Sequence, residues 1–128
     1  MNNNEMSTLT VTTQDFSLDT SSIGMVREVH PYMEMGVRYE PTQTRFRLRL
    51  FKYLHGNGDS HYCAYVYYDT PEQEAILQEC DWHGGVTFGD EHMIGCDYAH
   101  FGDEGTTIQQ VFSDTLDVCR EAIGKGWR

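Results

Sequence analysis

Residues 44–68 read TRFRLRLFKYLHGNGDSHYCAYVYY, and the reading of the fold starts from them. Between Thr44 and Leu54, Phe46, Leu48 and Leu50 alternate with Arg45, Arg47 and Arg49. A period of two sends three apolar groups to one face of a strand and three guanidinium groups to the other. HGNGDS, His55 to Ser60, has the composition of a turn. His61 to Tyr68 then returns as the antiparallel partner, with Tyr62, Ala64, Val66 and Tyr68 on one face and Cys63, Tyr65 and Tyr67 on the other. A hairpin with an apolar face needs a second layer to cover it.

The cover lies at the C-terminal end. Ile108, Val111, Phe112, Leu116, Cys119 and Ile123 recur at helical spacing as one apolar stripe. Thr106, with Gln109 three residues on, is placed to cap that helix, and Gly124 to stop it. Between hairpin and helix, Thr70 followed by Pro71 and Gln73 opens a short helix over Pro71–Gln78. Val86–Phe88 and Met93–Asp97 read as short strands joined through Gly89, Asp90 and Glu91. Upstream, Thr8–Thr13, Ile23–Val29 and Met33–Tyr39 have the β-branched and apolar content of further short strands. The expectation is an α+β domain: an antiparallel sheet with the C-terminal amphipathic helix packed on one face.

A chain of 128 residues fits one domain, 1–128, able to bury a core without disulfides, with residues 1–6 expected to be disordered. Cys63, Cys80, Cys96 and Cys119 form no C-x-x-C pair and are expected to be reduced, buried thiols. The opening MNNNEMSTLTVTTQD has no basic region followed by an apolar one, and no run is long enough to cross a bilayer. A cytoplasmic location without membrane contact is the expectation, and exposed strand edges make room for a homodimer.

Net charge is −11, and its distribution matters more than its total. Four of the nine basic residues lie in RFRLRLFK, residues 45–52, which has no acid, so the remaining 120 residues carry five basic against twenty acidic side chains. An acidic body repels nucleic acid and attracts basic partners. The arginine row opposite a tyrosine-rich strand has the elements of a nucleic-acid platform, but in so acidic a chain pairing with local carboxylates or an acidic partner is the stronger reading.

Titratable groups and permissive backbone are densest in CDWHGGVTFGDEHMIGCDYAHFGDE, Cys80 to Glu104, with three histidines, four aspartates, two glutamates and five glycines. His83, Asp97, His100 and Asp103 make a donor set compatible with zinc, manganese or iron. Gly84 and Gly85 can bare backbone N–H groups beside the histidines for a phosphate or a base. The spacing matches no H-E-x-x-H or deaminase signature, and neither G-x-x-x-x-G-K-[ST] nor G-x-G-x-x-G occurs, which disfavours a triphosphate or dinucleotide. Cys96 beside His83 or His100 has the makings of a nucleophile and base, although a cysteine on a strand is more often core. In the purely structural alternative Asp97 and Asp103 cap turns and backbone carbonyls satisfy the histidines.

The pattern His83-Gly84-Gly85-Val86-Thr87-Phe88, then Ile94-Gly95-Cys96-Asp97-Tyr98-Ala99-His100 and Asp103, resembles that of small, functionally uncharacterised proteins of tailed bacteriophages. Those proteins share HGG, an aliphatic residue, T and an aromatic, then G-x-D-x-A-H-x-x-D. The resemblance covers roughly residues 61–123, including a strand like Cys63–Val66 before the pattern and an amphipathic helix after it. The chain departs from it at Cys96, where an aromatic is usual, and over Asp69–Glu79, which lacks a G-H-P-type loop.

The resemblance implies a phage-type accessory protein in the cytoplasm of a bacterial host. Joined to the charge, it gives a first expectation: a non-enzymatic inhibitor that docks on a basic host defence component, of the CRISPR–Cas or restriction kind, through Asp90, Glu91, Asp103, Glu104, Asp114 and Asp117. The alternative is a pocket of His83, Gly84, Gly85, Asp97, His100 and Asp103 that binds a small nucleotide or a divalent metal, sequestering or hydrolysing a nucleotide signal. No catalytic residue and no resident cofactor is assigned.

Overall fold

The computed structural model describes the backbone of residues 9–16, 22–23, 26–39, 43–55 and 60–128, and the side chains of 36–39, 43–52 and 60–128. Seven strands form one sheet: β1 (Leu9–Phe16), β2 (Ser22–Ile23), β3 (Val26–Tyr39), β4 (Thr44–His55), β5 (Ser60–Tyr67), β6 (Phe88–Gly89) and β7 (Met93–Asp97). Their order is β1-β3-β4-β5-β7-β6, with β2 also on β3, and every pairing is antiparallel. Two helices complete the described chain, α1 (Pro71–Glu79) and α2 (Ile108–Gly124). The α+β architecture expected from the sequence is the one observed, with α2 lying on β4 and β5.

The hairpin pairs Leu48 with Val66, Leu50 with Ala64 and Lys52 with Tyr62. Register then carries the same face into β7, where Ala64 meets Cys96 and Val66 meets Ile94. Leu48, Leu50, Ala64, Val66, Ile94 and Cys96 are all buried, and α2 covers them with Val111, Val118, Cys119 and Ala122. Removing each large aliphatic side chain from water contributes about 1.5–3 kcal/mol, so this face dominates the stability of the described domain. The opposite face is less cationic than the alternation suggested. Phe51 continues the Arg45, Arg47, Arg49 row and is buried with Cys63 and Tyr65 in a second cluster, while Arg47 and Arg49 lie over the rings of Tyr67 and Phe51 at 4.6 and 5.2 Å.

Several local readings shift. Ile23–Val29 and Met33–Tyr39 are largely one strand, β3, whose register against β4 breaks between Val29 and Met33. Pro31 falls in that break, where a missing N–H disturbs no ladder. The helix expected over Pro71–Gln78 is α1; Thr70 accepts from the Gln73 N–H at 3.1 Å, but the Gln73 side chain does not turn back to close the box. It accepts from the Asp69 N–H and donates to the Arg128 carbonyl, each at 2.6 Å, tying the last residue to the start of α1.

Thr107, not Thr106, caps α2, accepting from the Gln110 N–H at 3.2 Å. Each threonine has a glutamine three residues on; Thr106 is instead used by the single 3₁₀ turn Asp103–Gly105, its N–H bonding the Asp103 carbonyl. α2 also runs through Gly124. The left-handed stop is Gly126 (φ 96°), with the Gly126 N–H on Ile123 and the Trp127 N–H on Ala122, the double bond of a Schellman ending. Trp127 then stacks on Phe46 with centroids 4.8 Å apart. The turn interior at 56–59 and the proposed disorder of residues 1–6 lie outside the described residues.

Candidate functional site

α1 ends at Glu79 with Cys80 as its cap, and the chain turns sharply beneath it. Trp82 is buried, its indole N–H donating to the Leu77 carbonyl at 2.8 Å, and the Gly85 N–H closes a turn on the Trp82 carbonyl at 2.9 Å. Gly84 and Gly85 take φ of 67° and 86°, a region that only glycine enters without strain. The anchored turn presents His83 outward. Across from it, β7 ends at Asp97 and leads into the loop Tyr98–Gly105.

Asp103 is where these segments meet. Its Oδ1 lies 2.9 Å from His83 Nε2, and its Oδ2 accepts from the His100 N–H at 2.9 Å and lies 3.4 Å from His100 Nδ1. Asp97 Oδ1 caps its own turn by accepting from the Ala99 N–H at 3.2 Å and stands 3.9 Å from the same His100 nitrogen. Gly84 completes the arrangement sterically, because a Cβ on it would sit 2.5 Å from His100 Cε1. Burial works against the Asp103 charge, yet the His100 N–H and the His83 imidazole outweigh it and hold its carboxyl below the usual carboxylate range.

Five of the six residues expected to form a ligand site, His83, Gly84, Asp97, His100 and Asp103, are therefore linked by contacts. The sixth, Gly85, shapes the turn, and a Cβ there would meet nothing within 4 Å. Both aspartates cap turns, as the structural alternative holds, but the described partner of His83 is a carboxylate, not a backbone carbonyl. His83, His100 and Asp103 offer three donor atoms within 4.8 Å of one another and are the described residues able to hold a metal ion.

Tyr98 and its partner were not part of the expected ligand site. The Tyr98 ring stacks on His83 with centroids 4.1 Å apart and planes 9° apart, and its hydroxyl donates to Asp114 on α2 at 2.6 Å. Burial, reinforced by Asp114, pushes this phenol up, so it remains a donor. Tyr98 lies inside the sequence motif, but its role depends on α2 arriving beside it, which no local pattern records.

Two grooves flank the cluster. One, of about 420 Å³, has Lys52, His61, Tyr62, His100, Asp103 and Glu104 in its walls. The other, of about 390 Å³, is acidic, with Asp81, Asp114, Asp117 and Glu121 beside His83. Of the acids expected at an interface, Asp103 and Asp114 are engaged as described and Asp117 pairs with Arg120 at 3.1 Å. Asp90 folds its carboxylate onto the His92 and Met93 N–H groups, with His92 the larger cause of its lowered pKa. Glu91 and Glu104 are exposed.

Nucleophilic chemistry finds no thiolate here. Burial pushes Cys80 up to about 11 and, with the Asp97 charge behind it, Cys96 up to about 12; Cys119 is raised as well. All four cysteines are buried thiols. Among the described residues no helix is long and apolar enough to cross a membrane. Comparison with family models, with curated proteins and with solved structures finds no match to this chain.

Proposed function

We propose that the protein binds a small phosphorylated ligand of nucleoside-monophosphate size in the groove bounded by His100 and Asp103. One observation carries the reading: the motif residues gather into a single cluster, and that cluster opens on a groove of about 420 Å³ walled by Lys52, His61 and His100. The volume lies within the range of small-molecule sites. The wall sets the Lys52 ammonium and two imidazoles beside the Asp103 and Glu104 carboxylates, so a phosphate would be met by the ammonium and the imidazole nitrogens. Lys52 lies over the Tyr62 ring at 4.9 Å, an aromatic surface of the kind on which bases stack. Asp103 and Glu104 supply acceptors for sugar hydroxyls. Sequestering such a nucleotide would suit the phage setting that the motif suggests, where the ligand is a host signal.

Isothermal titration with nucleoside monophosphates tests this. Saturable binding that Lys52→Ala and His61→Ala each weaken about tenfold, the scale of one charged hydrogen bond, is the expected result; no heat with any nucleotide removes the reading.

A second reading, docking on a basic component of a bacterial defence system, is favoured by a different observation. Residues 60–128, which supply both helices, carry thirteen acids against three bases, and four of those acids line the groove beside α2. Such a face complements a basic nucleic-acid channel. Reversing Glu91, Glu104 and Asp117 together is expected to abolish inhibition of the partner while the fold stays intact. Unchanged inhibition discards the charge mechanism.

A further inference from the structure

We propose that His83, His100 and Asp103 ligate one divalent transition-metal ion of the zinc class. The inference rests on the reading of these residues as a ligand site and adds what they hold directly. Two imidazoles and one carboxylate are the donors that borderline-soft divalent ions select. Bonds of about 2.0–2.1 Å place neighbouring donors of a tetrahedral site roughly 3.3 Å apart. Asp103 approaches both histidines near that value, its Oδ1 lying 2.9 Å from His83 Nε2 and its other oxygen, Oδ2, 3.4 Å from His100 Nδ1. All three donors fall within 4.8 Å of one another, so capture needs closure along the edge between the histidines. His100 is the side chain free to supply it, being 42% exposed against 11% for Asp103.

Outer contacts hold the donors as a metal site requires. His83 is stacked on Tyr98, and Tyr98 is locked to Asp114. Asp103 is oriented by the His100 N–H, which its Oδ2 accepts at 2.9 Å. Gly84 leaves beside the His100 ring the space a Cβ would fill. These features also distinguish the trio from Asp90, Glu91 and His92, which lie together on a tight turn but are all exposed and are not among the convergent donors.

Binding proceeds without redox change: each imidazole presents an unprotonated nitrogen, and the proton that His83 Nε2 shares with Asp103 shifts to the other ring nitrogen or leaves to solvent. Affinity therefore falls on acidification. One carboxylate against a doubly charged ion leaves a net positive centre. His100 and Asp103 also line the 420 Å³ groove, so that centre lies within reach of an anion bound there.

The experiment is titration of the chelator-treated protein with Co²⁺, read by its visible d–d absorption and by calorimetry, followed by displacement with Zn²⁺. One equivalent with a low-symmetry cobalt spectrum is expected, weakened about tenfold or more by His100→Gln and by Asp103→Asn, and untouched by His92→Ala. Far-ultraviolet circular dichroism checks that each variant is folded, and His100→Gln, at an exposed position, is the variant best able to remain so. No saturable cobalt binding, or binding that survives both substitutions, overturns the proposal. Cobalt binding by a protein that takes up no nucleotide upholds the metal site and removes the nucleotide reading. Nucleotide uptake without any cobalt spectrum does the reverse.

Discussion

Gly84 and Asp103 show most directly how single residues make this site. Gly84 combines a left-handed backbone with the closest approach to His100, so Gly84→Ala is expected to cost about 2 kcal/mol or more, of which the backbone alone accounts for about 1–2 kcal/mol. Urea denaturation measures the loss, and a changed His100 imidazole resonance shows that the ring has moved. Asp103 has a folded pKa below its unfolded value near 3.9. The sign follows from proton linkage: its stabilisation is fully present above about pH 4 and is lost as the pH falls through the lower folded value. Asp103→Asn should therefore flatten the dependence of the urea midpoint on pH below about 4, but only in part, since Asp90 is depressed in the same direction. At this scale the sequence was informative about identity and silent about pairing. His83, His100 and Asp103 stand out by composition, whereas Tyr98 and Asp114 acquire their roles only when α2 packs against the end of β7.

Elements were legible where one physical signal dominated. The alternation of Phe46, Leu48 and Leu50 with arginine, closed by a turn of Gly, Asn and Asp, identifies the β4–β5 hairpin, and the observed register pairs the same apolar faces. The stripe expected for α2 faces the core: Val111 and Cys119 are fully buried, and Ile108, Phe112, Leu116 and Ile123 pack half-buried against the same cluster. The buried face is wider than that stripe and also takes in Thr115, Val118 and Ala122. Thr115 manages this because its hydroxyl donates to the Val111 carbonyl at 2.7 Å. The end of α2 was misplaced for a related reason: either Gly124 or Gly126 can end a helix, and burial of Trp127 against Phe46 decides for the later one. Gly126→Ala is accordingly expected to cost about 1 kcal/mol through its left-handed φ and to raise hydrogen exchange at Lys125 to Trp127. Unchanged exchange there would mean the ending contributes nothing.

For the molecule as a whole, the sheet separates two tasks. One face is sealed by α2 and makes the stable core. The chain that crosses from β5 to β7 and then into α2 brings the two loops bearing His83 and His100 together at one end of β7, next to Lys52 and His61 from the hairpin. That meeting could not be read from spacing, because Lys52 and Glu104 lie far apart in sequence and share a groove only through the β4–β5–β7 register.

The most direct test is a titration of nitrogen-labelled protein with a nucleoside monophosphate, followed through the imidazole resonances of all six histidines. Saturable shifts confined to His61, His83 and His100, lost in Lys52→Ala, are the predicted result. No shift in any imidazole, or shifts centred instead on His92 beside the Arg45 and Arg47 face, would contradict a binding site at this cluster.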